Sequence, residues 1–445
     1  MRNLLRCRRG SAAFATVIAL VPLIGVVALG AEAGSWYVTK QHAQNAADSA
    51  ATSGALTIAI QNAASSAITD AQTYDYRGRQ FAAQNAFCNT GDTSYSGSRC
   101  AGSLPAGTLQ TVQIERGTYS AGSSPSWTTD AGGTSVRATV SQQQPAYLAG
   151  VLGLSTVNIG ATAIAEVQNP KEMCALGLGP SDNALTIGGS SIITGRGCAL
   201  MSDTAVKYNS EPTFSGSGWA VNGVSGCKAS AGHCDLSVPY NYNMLPAPNP
   251  LKALDTATFN ARTGNTSPSC PLQPDGWKHC TPNSTGSGAY GSFPTVSNGD
   301  QYILEPGTYF FYKADIKVTG GILKGTGVTL VLLGDSGLKI TGGTVELSAP
   351  AINTFSSLLN GVLIDDQAPT KSSNNVTING GTTSLGGALY FPNVEVTWGG
   401  NVQNANTECT QVIANSLTIN GNSYLSTENC APGTIGKTQV VALVQ

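Results

Sequence analysis

Hydrophobic and polar positions divide the chain into three textures. The first is an unbroken apolar run: no charged side chain occurs between Arg9 and Glu32. One helix can carry about 22 such residues, roughly 33 Å at 1.5 Å per residue, across the hydrocarbon layer of a bilayer. The second texture starts at residue 35. There Ala43, Ala46, Ala47, Ala50 and Gly54 recur at three- and four-residue steps, which puts them on one face of a helix that continues past the span and presents a packing face to a second helix. Helix is predicted from Thr39 to about Phe87 with a break near Asp70 to Gly78. Alternating strands follow at Leu109 to Arg116, Val136 to Val140 and Val157 to Val167, with a short helix at Pro145 to Gly153.

The third texture begins after Asn169-Pro170-Lys171-Glu172. Short β-branched runs end in Gly-Gly or Asn-Gly: Leu185-Thr-Ile187-Gly188-Gly189, Ile316-Lys-Val318-Thr-Gly320-Gly321, Leu338-Lys-Ile340-Thr-Gly342-Gly343, Val376-Thr-Ile378-Asn-Gly380-Gly381 and Leu417-Thr-Ile419-Asn-Gly421-Asn422. Each copy makes one short strand and a corner, too small to bury its apolar face alone, so copies must stack. An irregular β-solenoid is the expected architecture, with a β-sandwich as the alternative. From about 239 to 294 the pattern fails. Pro246, Pro248, Pro250, Pro268, Pro271 and Pro274 interrupt it, and this insertion is expected to be a binding loop or a lid over one end of the solenoid.

The resulting map is a basic segment at 1–10, a transmembrane helix at 11–34, a helical stalk with a small α+β head at 35–168, and a Gly-rich repetitive β domain at 171–445. Arg2, Arg6, Arg8 and Arg9 precede the span, whereas Glu32 and Lys40 follow it, so the N-terminus should stay in the cytoplasm. Trp36 and Tyr37 fall where the outer interface would be, a depth that suits their amphipathic rings. A cleaved signal peptide is the competing reading, because Ala28-Leu29-Gly30 offers small residues near the end of the run. The length of the uncharged run and the helical pattern beyond the possible cut argue against it.

Two motifs flank the span: Arg8-Arg9-Gly10-Ser11-Ala12-Ala13 before it and Gln44-Asn45-Ala46-Ala47-Asp48-Ser49-Ala50-Ala51 after it. They resemble the N-terminal segment of TadG-like proteins of the tight-adherence (Flp) pilus assembly system, over roughly the first 60 residues. The resemblance implies a pilin-like layout of stalk and head and a role beside other Tad/Flp assembly proteins at the bacterial inner membrane. Pilin precursors cut by prepilin peptidase typically carry Glu five residues after the cleavage-site Gly. Ala15 stands there instead, which implies an uncut anchor.

Charged residues make up only 11% of 445 residues and Gly contributes 53, yet 41% hydrophobic content still supports packed cores. With a net charge of -2 and no basic stripe beyond the first nine residues, nucleic acid is not an expected partner. Homo-oligomerisation stays open. Eleven cysteines occur; Cys7 lies on the cytoplasmic side of the span and the other ten beyond it, an even number that fits disulfides. Sequence neighbours suggest Cys88–Cys100, Cys174–Cys198, Cys227–Cys234, Cys270–Cys280 and Cys409–Cys430, one connectivity among about 945. A zinc site from Cys227, His233, Cys234, Cys270, His279 and Cys280 is the alternative, disfavoured by ligand spacing.

Three sets of residues could carry chemistry. Gly334-Asp335-Ser336-Gly337 resembles the nucleophile motif of chymotrypsin-like serine proteases, with His233 as a conceivable base, but it sits between two repeat strands and reads as a turn. Asp365 and Asp366 could be the acid and base of a glycan-cleaving β-helix, although adjacent strand residues face opposite sides and a solvent-facing strand end is the simpler expectation. Trp127, Trp219, Trp277, Trp398, Tyr240 and Tyr242 could stack on sugars or simply pack. None makes a convincing catalytic set, so the expected function is non-enzymatic, without cofactor or metal; the TadG-like resemblance implies an accessory component of Flp pilus assembly, and the anchor and its orientation place it in the inner membrane with its bulk in the periplasm. A membrane-anchored surface-binding or glycan-cleaving β-helix protein is the alternative.

Overall fold

The computed structural model describes residues 8–63, 70–92, 94–100, 103–180, 183–229, 234–369, 376–402 and 409–445. Arg2, Arg6, Cys7 and His233 lie outside them. The chain divides into two compact units. One holds α1 up to Ile58, residues 70–168 and Val441–Gln445; the other holds the end of α1 and Asn169–Val440.

In the first unit, α1 (Arg8–Ala63) is continuous from the apolar run into the stalk. After the break, α2 (Tyr74–Gln84) starts at Thr73, whose hydroxyl accepts from the Tyr76 N–H at 3.1 Å, an N-cap that satisfies one orphan donor. Asp70 pairs with Arg77 at 2.8 Å and accepts the Gln72 N–H, fixing the turn between the helices. Strands β1 (Leu109–Ser120), β2 (Ser126–Thr129), β3 (Ser135–Pro145) and β4 (Thr156–Gln168) form an antiparallel meander. A fifth strand, Val440–Leu443, adds to the β4 edge from the far end of the sequence. Val112 and Ile114 of β1 and Val136, Ala138 and Val140 of β3 are buried in strict alternation, the signature of a sheet covered on one face. The helices cover it. A Cβ on Gly54 of α1 would lie 2.9 Å from Val136 Cγ1, and one on Gly78 of α2 would lie 3.0 Å from Ile114.

The second unit is a β-solenoid of about 10 turns. Successive coils pair in parallel, so like residues stack: Cys280, Leu304, Gly325, Leu347 and Leu385 form one column, and Val318, Ile340 and Ile378 another. The strands Asp315–Thr326, Gly337–Ser348, Val376–Val402 and Thr410–Tyr424 run through their glycine corners. Gly321, Gly343, Gly381, Gly400 and Gly421 hold φ between 64° and 83° there, backbone that a side chain would disfavour. Parallel stacking replaces the sandwich alternative.

The winding order is not the sequence order. The first coil, Glu172–Gly177 and Asn183–Thr194, lies against the last, with Leu417 opposite Leu185, Ile419 opposite Ile187 and Ile413 opposite Leu176. From that seam the chain winds outward through Ala199–Ser202 and Ala220–Gly223 to Tyr240–Tyr242 at one end. It restarts at the opposite end, around Thr266, Lys278–Cys280 and Tyr290, and winds back to the seam. The proline-rich segment joins the two ends. Its backbone bonds Asp203 at Ala247, and Asn249 and Asp255 side chains reach Tyr390. Further along, Phe259 and Arg262 pack on Phe310, the Ala289 N–H donates to the Thr263 carbonyl, and Tyr290 bridges to Thr266. The insertion is thus a strap laid along the side of the solenoid, not a lid over an end. Ten coils about 4.8 Å apart span roughly 45 Å, and the 23 residues from Asn243 to Thr266 can reach about 76 Å when extended.

The strap has an apolar column to cover. Phe310, Val331, Asp365, Tyr390, Ile413, Leu176 and Met201 stand in register on successive coils. Leu251, Leu254 and Phe259 of the strap are buried with them in one core, separate from the core inside the coils. Pro246, Pro248 and Pro250 keep the strap extended and remove N–H groups that would otherwise need partners. All five neighbour disulfides are present: Cys88–Cys100, Cys174–Cys198, Cys227–Cys234, Cys270–Cys280 and Cys409–Cys430. Cys227–Cys234 and Cys270–Cys280 stand at the two ends, where strand edges would otherwise be open to pairing.

The corner glycines give the first prediction. A Cβ on Gly381 would meet Gly343 O at 2.2 Å with φ at 68°, whereas one on Gly433 meets nothing within 4 Å. Gly381→Ala should lower stability by at least about 1–2 kcal/mol from its backbone alone, and Gly433→Ala should change it by less than about 0.5 kcal/mol. Denaturant midpoints of the two variants check this, and equal midpoints would contradict the corner argument.

Candidate functional site

The apolar run and the face beside it are the first candidates. Val17, Leu23, Ile24, Val26 and Val27 are each more than half exposed, around the whole circumference of α1. A helix in water would bury such a stripe against a core, and this one has none at that level. Among the described residues there is one helix long and apolar enough to cross a membrane. Just beyond it stands Glu32, whose role the sequence did not reveal. Its carboxylate accepts three successive backbone N–H groups, from Tyr147 at 2.7 Å, Leu148 at 3.1 Å and Ala149 at 2.7 Å. A cleft of about 430 Å³ opens beside this contact, lined by Trp36, Pro105, Gln142, Tyr147 and Leu148 as well as Glu32. The one available signal was a lone acid between an apolar span and a nearly uncharged stalk.

Residues 10–57 match the family model described as "Putative Flp pilus-assembly TadE/G-like". The matched segment is the apolar helix and the stalk; it includes the second flanking motif and the first from Gly10 onward. No curated protein and no solved structure matches the chain. The TadE/G-like likeness therefore ends before the sheet of the first unit, and it supports an association with Flp pilus assembly and a membrane anchor.

The small-residue face of this TadE/G-like segment is already occupied. Ala43, Ala46, Ala47 and Ala50 are fully buried, and Gly54 meets Val136 of β3 and the Tyr74 carbonyl. Another element does pack closely on this face, but it belongs to the chain itself: at Gly54 the face meets β3 and α2, and the expected approach of an assembly partner's helix is corrected to that internal packing. Three- and four-residue spacing of small side chains says only that something approaches closely, not what it is.

The remaining candidates are structural. Ser336 is fully buried; its hydroxyl donates to Leu333 O at 2.7 Å and accepts the Ala314 N–H at 3.1 Å, closing the turn between coils. Cys227, Cys234, Cys270 and Cys280 are consumed by disulfides, and His279 lies between Glu305 at 2.5 Å and Asp275 at 2.9 Å, which raise its pKa in that order. Trp219 and Trp398 fill the interior, whereas Tyr240 stacks on Tyr242 with centroids 5.2 Å apart at one end of the solenoid. Trp127 stands under the Arg137 guanidinium, and Trp277 faces Lys324.

Asp365 and Asp366 are not the solvent-facing strand end that was expected; both are 0% exposed. They do face opposite sides. Asp365 belongs to the column under the strap, between Val331 and Tyr390, while Asp366 pairs with Leu332 of the inner core. Each makes one hydrogen bond, to Gln367 and to the Ala368 N–H, and each leaves one oxygen without a partner. Burial pushes the two carboxyl groups up to about 7 and about 8, opposed by those single bonds. Facing apart, they cannot share a substrate as acid and base.

Their linkage to folding has a definite sign. Unfolded carboxyls ionise near 4, so between that pH and about 8 the folded state holds protons that the unfolded state has lost, and stability must fall as pH rises. Each group contributes a slope of up to about 1.4 kcal/mol per pH unit in that window. Asp366→Asn should remove its share, so that the variant gains on the native protein steadily from pH 4 to 8 in denaturant titrations. A constant difference across that range would show that Asp366 is ionised in the fold.

Proposed function

We propose that this protein is a non-enzymatic accessory component of Flp pilus assembly, anchored by α1 in the bacterial inner membrane with its N-terminus in the cytoplasm and both compact units in the periplasm. The observation that carries the reading is the coincidence, in residues 10–57, of the TadE/G-like match with a helix whose apolar side chains from Val17 to Val27 are exposed among the described residues. Arginines before the span and acid after it support the orientation. Disulfides in both units support an oxidising compartment. Ser336 closes a buried turn, and Asp365 and Asp366 face opposite sides of their strand, which supports a role in binding rather than in chemistry.

The anchored arrangement also assigns work. With the small-residue face closed against its own sheet, α1 is a rigid post for the first unit, and contact with assembly proteins falls to the span itself and to outer surfaces. In cells that make Flp pili, the tagged full-length chain should co-purify with inner-membrane components of the assembly machinery, and its deletion should reduce surface pili. Normal pili in the deletion strain would overturn the assignment. A protease site inserted beside Ile352, which is 78% exposed, should be cut only after the outer membrane is permeabilised. Cutting in intact cells would place the solenoid at the cell surface.

A further inference from the structure

We propose that the loop between β3 and β4, residues Pro145 to Ser155, is seated in the outer interface of the same bilayer that α1 crosses, and that Glu32 holds it there. The loop sequence Pro-Ala-Tyr-Leu-Ala-Gly-Val-Leu-Gly-Leu carries no charged or amide side chain, which is unusual for a connection that must run over a wet surface. Tyr147 is 74% exposed, Leu154 50% and Leu148 42%. The fold does not need them out: Ala146 and Ala149 of the same loop are buried.

The level of the loop is set by the tether. Three consecutive N–H groups of Tyr147, Leu148 and Ala149 converge on one carboxylate, a backbone nest closed by an anion. Glu32 lies three residues past Leu29, the last large apolar residue of the exposed run, or about 4.5 Å along the helix axis. The loop tip therefore stands within one helical turn of the hydrocarbon edge. Trp36 is one turn farther out, and Lys40 donates to the Gly160 carbonyl of β4, so both sides of the tether are fixed to the helix.

The occupant follows from continuity. The exposed side chains of the loop extend the exposed apolar surface of α1, whose partner in this reading is lipid, and a ring with a hydroxyl at its tip is the side chain that interfaces favour. A carboxylate placed at that depth would be costly if bare; here its charge is met by three donors and lies beside protein, not in the acyl chains. Seating the loop fixes the tilt and rotation of the first unit about α1, which a single flexible span would leave free.

This inference rests on the anchor reading, and the experiment separates the two. Full-length protein in a Cys7→Ser background is labelled with an environment-sensitive fluorophore at Leu148→Cys, Val26→Cys or Ile352→Cys and reconstituted in phosphatidylcholine and phosphatidylglycerol vesicles. Lipids doxyl-labelled near the headgroup serve as quenchers, and deeply labelled lipids serve for comparison. The label at 148 should be blue-shifted and quenched chiefly by the shallow lipid, that at 26 by the deep lipid, and that at 352 by neither. Quenching at 26 without quenching at 148 would overturn the seated loop while the anchor stands. A blue shift at 148 without quenching would place protein, such as a second copy, on the loop and would also overturn it. Absence of quenching at 26 would remove the anchor and the loop together. Glu32→Ala should weaken the quenching at 148 and leave that at 26, with Glu32→Gln intermediate. Unchanged quenching at 148 in Glu32→Ala would overturn the tether.

Discussion

The seam between the last coil and the first constrains the rest of the solenoid. Leu417 and Ile419 stack on Leu185 and Ile187 across 232 residues of sequence. The first unit takes strands from both sides of the insertion, β4 before it and Val440–Leu443 after it. The chain leaves that sheet and returns to it at adjacent coils. It enters in the middle, winds to one end, crosses, and winds back, and Gly436 and Lys437 close the circuit by pairing with Met173 and Glu172. Loop closure over such a separation has a logarithmic entropic penalty, so the seam is affordable in free energy but late in folding.

From that constraint the strap follows, and from the strap a second core. A crossing segment must run the length of the coils without adding a strand to them, and closely spaced prolines meet that need because they cannot donate to a ladder. Its Leu251, Leu254 and Phe259 then cover a column that would otherwise face water. The cover is also why Asp365 is buried and raised in pKa. A strand residue that points outward in an ordinary solenoid would be solvated; here it points under the strap, near Asp255 and Tyr390. The polar contacts of Asn249, Asp255 and Tyr390 set the register of strap against coil more sharply than the apolar packing can.

Much of this was legible in the sequence, for reasons that differ by element. The span is legible because absence of charge over a bilayer's width has few other causes, and the disulfides because short loops bring neighbours together. The coils are legible because corners at Gly321, Gly343, Gly381 and Gly421 take a glycine with positive φ, leaving a visible glycine after each of those short β-branched runs. The winding order was not legible, since identical repeats carry no record of which copy is beside which. The fate of the alanine face was misread for a related reason: small side chains permit a close approach by helix or sheet alike. Asp365 and Asp366 were misread because burial was judged from strand position alone, whereas the strap that covers one of them comes from a hundred residues earlier.

The two ends of α1 carry different surface patterns on one continuous helix. Along the run to Leu29 the large apolar side chains are exposed; farther on, Ala43, Ala46, Ala47, Ala50, Ala51 and Ala55 make a small-residue face that is buried. Lipid rewards the first pattern, and a flat sheet at close range rewards the second, because only Ala and Gly let a helix backbone approach Val136 within contact. Between them, Glu32, Trp36 and Lys40 form a short polar and aromatic collar. Glu32 bonds the backbone of the loop between β3 and β4, and Lys40 bonds that of β4 itself. Such charges contribute by position more than by strength: they fix where along the helix the covered face begins, and so where a membrane can end.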